Sequence, residues 1–151
     1  MVHDTKSEVI IRQHRHWTHR VENLRVVAQG NLVLTNRRLL FLHRIEASPE
    51  VGASIKKLAD APIETVLDHA LTLHKGCLQI PLASIARVGI GAVSGFPFPH
   101  FCLTVSYYEG KKRTPRVAAF QFKRPKSVSF QSPQIISDIR WRKAIMRAMK
   151  D

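Results

Sequence analysis

The stretch that most constrains the fold of this chain is residues 30–43, GNLVLTNRRLLFLH. Its two apolar runs, residues 32–34 and 39–42, are rich in aliphatic and aromatic side chains and too short to form independent helices. Asn36, in the polar break between them, tolerates a positive φ and can hydrogen-bond to its own backbone, as tight turns require. The stretch therefore predicts a β-hairpin that begins with a turn or bulge at Gly30 and carries two arginines at its bend.

Net charge separates the two halves of the chain. The sequence carries 24 Lys and Arg against 11 Asp and Glu, a net charge of +13. Residues 1–75 contribute 11 basic and 8 acidic side chains, or +3, whereas residues 76–151 contribute 13 and 3, or +10. This asymmetry predicts an anionic partner for the second half, which is a lipid head-group surface, a nucleic acid or an acidic protein. The alternative is that the charge serves only solubility.

Residues 48–76 are predicted to form a helical insert. Proline follows a capping residue closely at Ser48-Pro49 and at Asp60-Ala61-Pro62, as it does at helix starts. Apolar side chains recur at helical spacing up to Gly76, which stands where a left-handed C-cap belongs. The apolar face of the insert is expected to dock on a sheet. Two of its residues are also candidates for binding a protein partner: Leu67 and Leu71.

The remaining segments predict strands and a final helix. Residues 8–19 open with Val-Ile-Ile and favour a strand, although helical spacing fits them too. Strand patterns return after the insert, and the glycines and prolines between residues 89 and 99 predict a loose link. The predicted later strands are residues 77–82, 85–90, 101–108 and 116–122, the last two forming an antiparallel hairpin.

The chain is predicted to end in an amphipathic helix over residues 133–150. Ser132-Pro133 supplies a cap and a first-turn proline. A buried apolar stripe is expected along one face, with Arg142 reaching outward from within it. The stripe comprises Ile135, Ile139, Ile145, Met146 and Met149, and its basic flank comprises Arg140, Lys143, Arg147 and Lys150.

The order of these elements resembles a pleckstrin-homology-like fold, and the hairpin stretch resembles the GRAM and prokaryotic PH-like pattern. The matching residues are Gly30, Leu34, Thr35, Asn36, Arg38, Leu39 and Phe41. Downstream, Ile80-Pro81-Leu82 with Ile85 and Val88 is similar to the family's I-P-L-x-x-I-x-x-V segment, and residues 108–122 resemble its penultimate hairpin.

This resemblance covers most of residues 24–150 and implies a mainly β fold with helices. The implied architecture is a barrel or sandwich of about seven antiparallel strands, capped by the C-terminal helix. The helical insert is longer than the family's usual loop. Such folds host lipid binding, peptide binding and scaffolding, so the resemblance alone does not choose among these functions.

The strongest candidate site is the basic hairpin that follows residue 110. Seven positive charges fall within 16 residues there, with no acidic residue among them. Near an anionic membrane, each such charge contributes about 1 kcal/mol. The alternative is a solvated loop that protects a sheet edge. The seven residues are Lys111, Lys112, Arg113, Arg116, Lys123, Arg124 and Lys126.

Two further groups of candidate residues each have a structural role as the alternative to ligand binding. Arg37 and Arg38 are candidates for anion binding, although a structural salt bridge or a stacked guanidinium suits this bend better. His14, His16 and His19 form the cluster HRHWTH, and on a strand His14 and His16 would share one face, a spacing compatible with a metal ion or a pH-sensitive contact. No cysteine or further carboxylate is tied to them by sequence, so a surface cluster is favoured.

No pattern for catalysis, a cofactor or a membrane span appears in the sequence. There are no paired carboxylates, nucleophile elbow, phosphate loop or Cys–His motif. No apolar run approaches about 18 residues, and the N-terminal residues lack the apolar core of a signal peptide. Cys77 and Cys102 form no metal or redox motif, which indicates a reduced, cytoplasmic protein.

These patterns predict a single domain of 151 residues that binds rather than catalyses. The favoured function is peripheral binding to an anionic phospholipid surface at the inner face of a membrane. The main alternative is a protein-interaction or homo-oligomeric scaffold. Nucleic-acid binding is less favoured, because aromatic residues are present but no motif for DNA or RNA accompanies them. The aromatic residues in question are Trp17, Tyr107, Tyr108 and Trp141.

Overall fold

A computed structural model describes residues 7–22, 25–44, 56, 58, 60–94, 100–111, 114–122 and 134–150. Within these ranges the chain forms antiparallel strands and helices, and it ends in a helix, so the predicted class of mainly β with helices is confirmed. The elements are β1 (Ile10–Glu22), β2 (Arg25–Thr35), β3 (Arg38–His43), α1 (Ile63–Thr72), β4 (Leu78–Pro81), a 3-10 turn (Leu82–Ser84), β5 (Ile85–Ser94), β6 (His100–Tyr107), β7 (Arg116–Phe122) and α2 (Gln134–Lys150).

The strands form one sheet in the order β4-β3-β2-β1-β7-β6-β5, with every neighbouring pair antiparallel. Phe41 of β3 stacks on Phe120 of β7, with ring centroids 5.9 Å apart, although β2 and β1 lie between these strands. Neighbouring strands are about 4.8 Å apart, so a flat sheet would hold the two rings much farther from each other. The sheet therefore curls, and its concave side encloses the main core.

The predicted hairpin of residues 30–43 is confirmed, since Leu34 lies opposite Leu39 and the bend falls between them. Thr35 builds this bend, because its Oγ1 accepts hydrogen bonds from the backbone N–H groups of Arg37 and Arg38 at 3.1 and 3.0 Å. The side chain of Asn36 does not bond its own turn. It accepts from the N–H of Val9 at 2.9 Å and donates to Ser7 at 3.2 Å, which fastens the start of the chain to the bend.

Gly30 is required for a different reason from the one predicted. It lies inside β2, opposite His43 of β3, and the predicted turn at this residue is not observed. A Cβ at this position would collide with the carbonyl oxygen of Leu42. The glycine therefore permits a close approach of two backbones, and the neighbouring register irregularity lies in β1 between His14 and Thr18.

Helix α1 forms at the second of the two helix starts that the sequence predicts within the insert. It begins after Pro62 and ends with Leu73 as a right-handed C-cap, so the predicted left-handed cap at Gly76 is wrong. Gly76 instead packs under the stacked rings of His43 and His74, whose centroids are 3.6 Å apart. The first predicted start, Ser48-Pro49, lies outside the described residues.

Strand β5 is longer than the sequence predicts. It continues past residue 90 to Ser94 and includes Gly89 and Gly91, which were expected to loosen a link. Thr104 of the neighbouring β6 lies against both glycines, and an added Cβ would come within 3.2 Å of its Oγ1 at Gly89 and 3.3 Å of its Cγ2 at Gly91. The small residues accommodate this neighbour rather than end the strand.

Candidate functional site

Helix α2 is fixed to the concave side of the sheet by one large side chain. Trp141 is fully buried, and its ring stacks on Phe122 at the end of β7, with centroids 5.5 Å apart and planes 12° apart. Ile145 and Ala148 continue the buried face at helical spacing. The inward side of the helix is therefore centred on Trp141.

This arrangement corrects the predicted stripe of α2. Ile145 is buried as predicted, but the face that packs on the sheet is rotated toward Trp141. Asp138, one turn before Trp141, is also buried, and a charged residue at that position hides the apolar pattern from sequence reasoning. The side chain of Ile135 lies outside the described part. Three residues predicted to be buried remain 39%, 41% and 37% exposed: Ile139, Met146 and Met149.

The outward side of α2 is basic and apolar. Its five basic side chains are all exposed, and none forms an ion pair with a residue that the structure describes. Asp138 is the only acidic residue within Gln134–Lys150, and it points inward. We call this surface the α2 face. It comprises Arg140, Arg142, Lys143, Arg147 and Lys150 together with Ile139, Met146 and Met149.

The predicted basic hairpin is described only at its base. Gly110 turns the chain with a φ of 60°, and Lys111 beyond it is exposed. Arg116 pairs with Glu109 at 2.8 Å, but both side chains are more than half exposed, so the pair contributes little to stability. The other candidates lie outside the described residues: Lys112, Arg113, Lys123, Arg124 and Lys126.

The hairpin base lies at the same end of the sheet as the C-terminal part of α2. Tyr108 donates its N–H to the carbonyl of Ser84 in the 3-10 turn at 3.0 Å, and α2 packs beside that turn. The N-terminal part of α2 lies at the other end of β6, where Trp141 stacks on Phe122 and the charge of Asp138 raises the pKa of the Cys102 thiol. Because a helix of 17 residues spans about 25 Å, α2 runs the length of β6 and brings its last turns toward the hairpin.

Arg38 belongs to an ion-pair network at the first hairpin bend. Its Nε and Nη2 donate to the two carboxylate oxygens of Glu8 at 2.9 and 3.0 Å, and its Nη1 lies 2.7 Å from Asp68. Burial lowers the pKa of Arg38, but hydrogen bonds and charges from Glu8 and Asp68 outweigh burial and raise the pKa above its usual value. Arg37 pairs with Glu64 of α1 at 3.0 Å. Both arginines thus take the salt-bridge role that the sequence favoured.

The two leucine candidates of the insert lie on the inward face of α1. Leu67 is buried against Val33 and Leu40, and Leu71 is partly buried in the same cluster. Because side chains alternate along a strand, this cluster lies on the opposite side of the sheet from the main core. The predicted docking of the insert on the sheet is confirmed for α1, and its leucines stabilise the fold.

The structure describes the side chains of only some of the histidine and aromatic candidates. His14 packs edge-on against Phe122, with ring centroids 5.1 Å apart, and His19 is half-buried. Among the described residues, no three side chains of the metal-ligating kinds converge as a metal site requires. Trp141 and Tyr107 are buried, so neither offers a face for stacking bases. The side chains of His16 and Trp17 lie outside the described part.

Asp138 is the most perturbed acid that the structure describes. It is fully buried, and neither carboxylate oxygen has a hydrogen-bond partner in the described part of the chain. Burial raises its pKa to about 6. Burial and the nearby charge of Asp138 also raise the pKa of the Cys102 thiol, which makes this cysteine a poor nucleophile.

A scan against protein-family profiles and a search of curated protein sequences both find no match to this chain. Neither helix in the described ranges is both long and apolar enough to cross a bilayer.

Proposed function

We propose that the protein is a non-catalytic binding module that attaches peripherally to anionic phospholipid surfaces. The observation that carries this proposal is the α2 face, where five exposed basic side chains surround three exposed apolar ones with no exposed acid. Helical faces of this composition lie in the plane of a membrane interface. Their apolar side chains enter the acyl boundary while their basic groups stay at the level of the phosphates.

Electrostatic attraction supplies most of the binding free energy in this account. Each Lys or Arg near an anionic surface contributes about 1 kcal/mol, so the five of the α2 face contribute about 5 kcal/mol. The three apolar side chains add a smaller hydrophobic contribution. The electrostatic part is screened by salt, because the Debye length is only about 8 Å at physiological ionic strength. Binding is therefore reversible and strongly dependent on salt.

The basic hairpin provides a second contact to the same surface. Tyr108 and Val117 at its base are 42% and 63% exposed, close in sequence to Lys111 and Arg116. Aromatic and aliphatic side chains beside basic ones suit the interfacial region of a bilayer. Since the hairpin base lies near the last turns of α2, both elements can contact one membrane at once.

The fold supports this function without determining it. The curled antiparallel sheet and the C-terminal helix on its concave side support a pleckstrin-homology-like architecture of the GRAM type. Within that proposal, the protein acts at the cytoplasmic face of a membrane. Because folds of this type host several kinds of ligand, it is the α2 face rather than the fold that supports membrane binding.

A protein-interaction scaffold is the second candidate, and strand β5 favours it. β5 has ten residues and lies at an edge of the sheet, paired on one side with β6 in the described part of the chain. An open strand edge can accept a strand from another protein or from a second copy. The apolar face of α1 does not serve this role, because Leu67 is covered by the sheet.

The test is flotation of the purified protein with neutral phosphatidylcholine vesicles and with vesicles containing phosphatidylserine. We expect binding only to the anionic vesicles, decreasing from low to near-physiological salt. An α2 variant replaces four basic residues with Gln, at Arg142, Lys143, Arg147 and Lys150. A hairpin variant replaces Lys111, Lys112, Arg113 and Arg116 with Ala.

A matched control removes the same net charge elsewhere, with Gln at Arg44, Lys56, Lys75 and Arg87, all of which are exposed. We expect the α2 variant to lose most flotation, the hairpin variant to lose part, and the control to keep most of it. Absence of flotation at near-physiological salt, or equal loss in the α2 variant and the control, contradicts the proposal.

A further inference from the structure

We propose that Arg12 and Arg140 form a phosphate-binding subsite at the edge of the α2 face, suited to a phosphomonoester or to inorganic phosphate. As a lipid head-group site it rests on the membrane function proposed above, whereas as a site for free phosphate it does not. Arg12 lies on β1. Its guanidinium carbon lies 5.4 Å from the ring centroid of Trp141.

Trp141 holds the guanidinium of Arg12 in a defined orientation. The indole is buried and stacks on Phe122, so its position is set by the core. A guanidinium over an aromatic ring gains cation–π attraction and keeps the N–H groups at its edge available for an oxyanion. Arg12 is therefore preorganised, and little side-chain entropy remains to be lost when an anion binds.

Arg140 precedes Trp141 on α2 and brings a second positive charge close to Arg12. Burial and the charge of Arg140 both lower the pKa of Arg12. Neither arginine has a carboxylate partner among the residues that the structure describes. Elsewhere in the described part, Arg38 and Arg116 are matched with acids. Among the described residues, this place differs from the rest of the α2 face because one of its two neighbouring guanidinium groups is held over an aromatic ring.

A phosphate group is the anion that fits this pair. Bringing two cations together is unfavourable, and an anion between them converts the repulsion into two attractions. A phosphate dianion can accept paired hydrogen bonds from each of two guanidinium groups, which a lone carboxylate does less well. A phosphomonoester carries that dianion at neutral pH, whereas the phosphodiester of phosphatidylserine carries a single charge.

The first experiment is calorimetric titration of the full-length protein with inorganic phosphate at constant ionic strength. We expect saturable binding that weakens about tenfold or more in R12Q and in R140Q, because each change removes charge-assisted hydrogen bonds. R87Q on β5 is the matched control, because Arg87 is exposed and lies outside the α2 face, and it is expected to bind as the wild type does. R140Q is the main variant, because Arg140 is exposed and its loss does not disturb the core.

The second experiment identifies the source of the phosphate. Vesicles containing phosphatidic acid, a phosphomonoester, are compared with phosphatidylserine vesicles of equal surface charge. A wild-type preference for phosphatidic acid over phosphatidylserine that R140Q loses supports a lipid head group. Phosphate binding that R140Q weakens, with no preference between the vesicles, supports a free phosphate.

Different results overturn the phosphate subsite and the membrane function. A wild-type protein that floats with phosphatidylserine vesicles but shows no saturable phosphate binding overturns the subsite and leaves the membrane function standing. Saturable phosphate binding without any flotation supports the subsite as a site for free phosphate and overturns the membrane function. Equal losses of phosphate affinity in R140Q and R87Q also overturn the subsite.

Discussion

Two buried carboxylates in this protein have opposite surroundings. Glu8 accepts hydrogen bonds from Arg38 and from the Thr35 hydroxyl, so its buried position is compatible with a negative charge. Asp138 is equally buried and has no hydrogen-bond partner in the described part of the chain. A buried carboxylate without a partner favours its protonated form. The surroundings of Asp138 therefore predict that this residue makes stability depend on pH.

The pKa of Asp138 predicts a loss of stability as pH rises. Burial raises its pKa from 3.8 to about 6 in the folded protein, so folding favours the protonated form. The resulting contribution is fully present below the unfolded pKa of 3.8 and disappears as pH rises through about 6. A shift of this size corresponds to about 3 kcal/mol.

Urea denaturation of the wild type and D138N over a series of pH values measures this contribution. The difference between the two free energies of unfolding removes the contributions of all other titratable groups. We expect this difference to change by about 2.5 kcal/mol between about pH 4 and pH 8, most steeply near about pH 5, midway between the unfolded and folded pKa values. Parallel pH profiles for the two proteins would show that Asp138 does not titrate as inferred.

The sequence predicts those strands and helices whose formation depends on local residue patterns. The hairpin of residues 30–43 and the helix α1 follow from alternation, from turn residues and from helical spacing. The buried side of α2 does not, because it depends on which residue meets Phe122 across the core. Trp141 makes that contact, and the apolar Met146 and Met149 are left outside. The α2 face was thus visible in sequence as a basic flank, but its exposed apolar part was not.

The packing of α1 predicts that its two leucines contribute unequally to stability. Leu67 is buried against the sheet, whereas Leu71 is only partly buried. We expect Leu67→Ala to reduce the free energy of unfolding by about 3 kcal/mol and Leu71→Ala by distinctly less. Chemical denaturation measures both changes. Since α1 and α2 lie on opposite sides of the sheet, the folded fraction of either variant should float with anionic vesicles as the wild type does. Loss of flotation in folded Leu71→Ala would instead assign the binding surface to α1.

Across the whole molecule, some basic residues form ion pairs with acids, whereas others lie together on an open surface. Arg37 and Arg38 meet the acids of the first half of the chain, whereas α2 has no exposed acid to meet. The excess of +10 in residues 76–151 predicts an anionic partner from composition alone. Composition does not reveal where that charge gathers. Its concentration on α2, beside Arg12 of a distant strand, follows from the tertiary fold.

Entry of the α2 face into the membrane interface can be measured by the quenching of an introduced tryptophan with brominated lipids. A tryptophan is placed at Met146 on this face or at Ile63 on α1, two positions that are 41% and 40% exposed. Quenching of the parent protein, measured under the same conditions, is subtracted from each. With anionic vesicles containing brominated lipid, we expect clear additional quenching for M146W and none for I63W. Equal quenching at the two positions, or none at position 146 in vesicle-bound protein, would contradict the entry of this face into the interface.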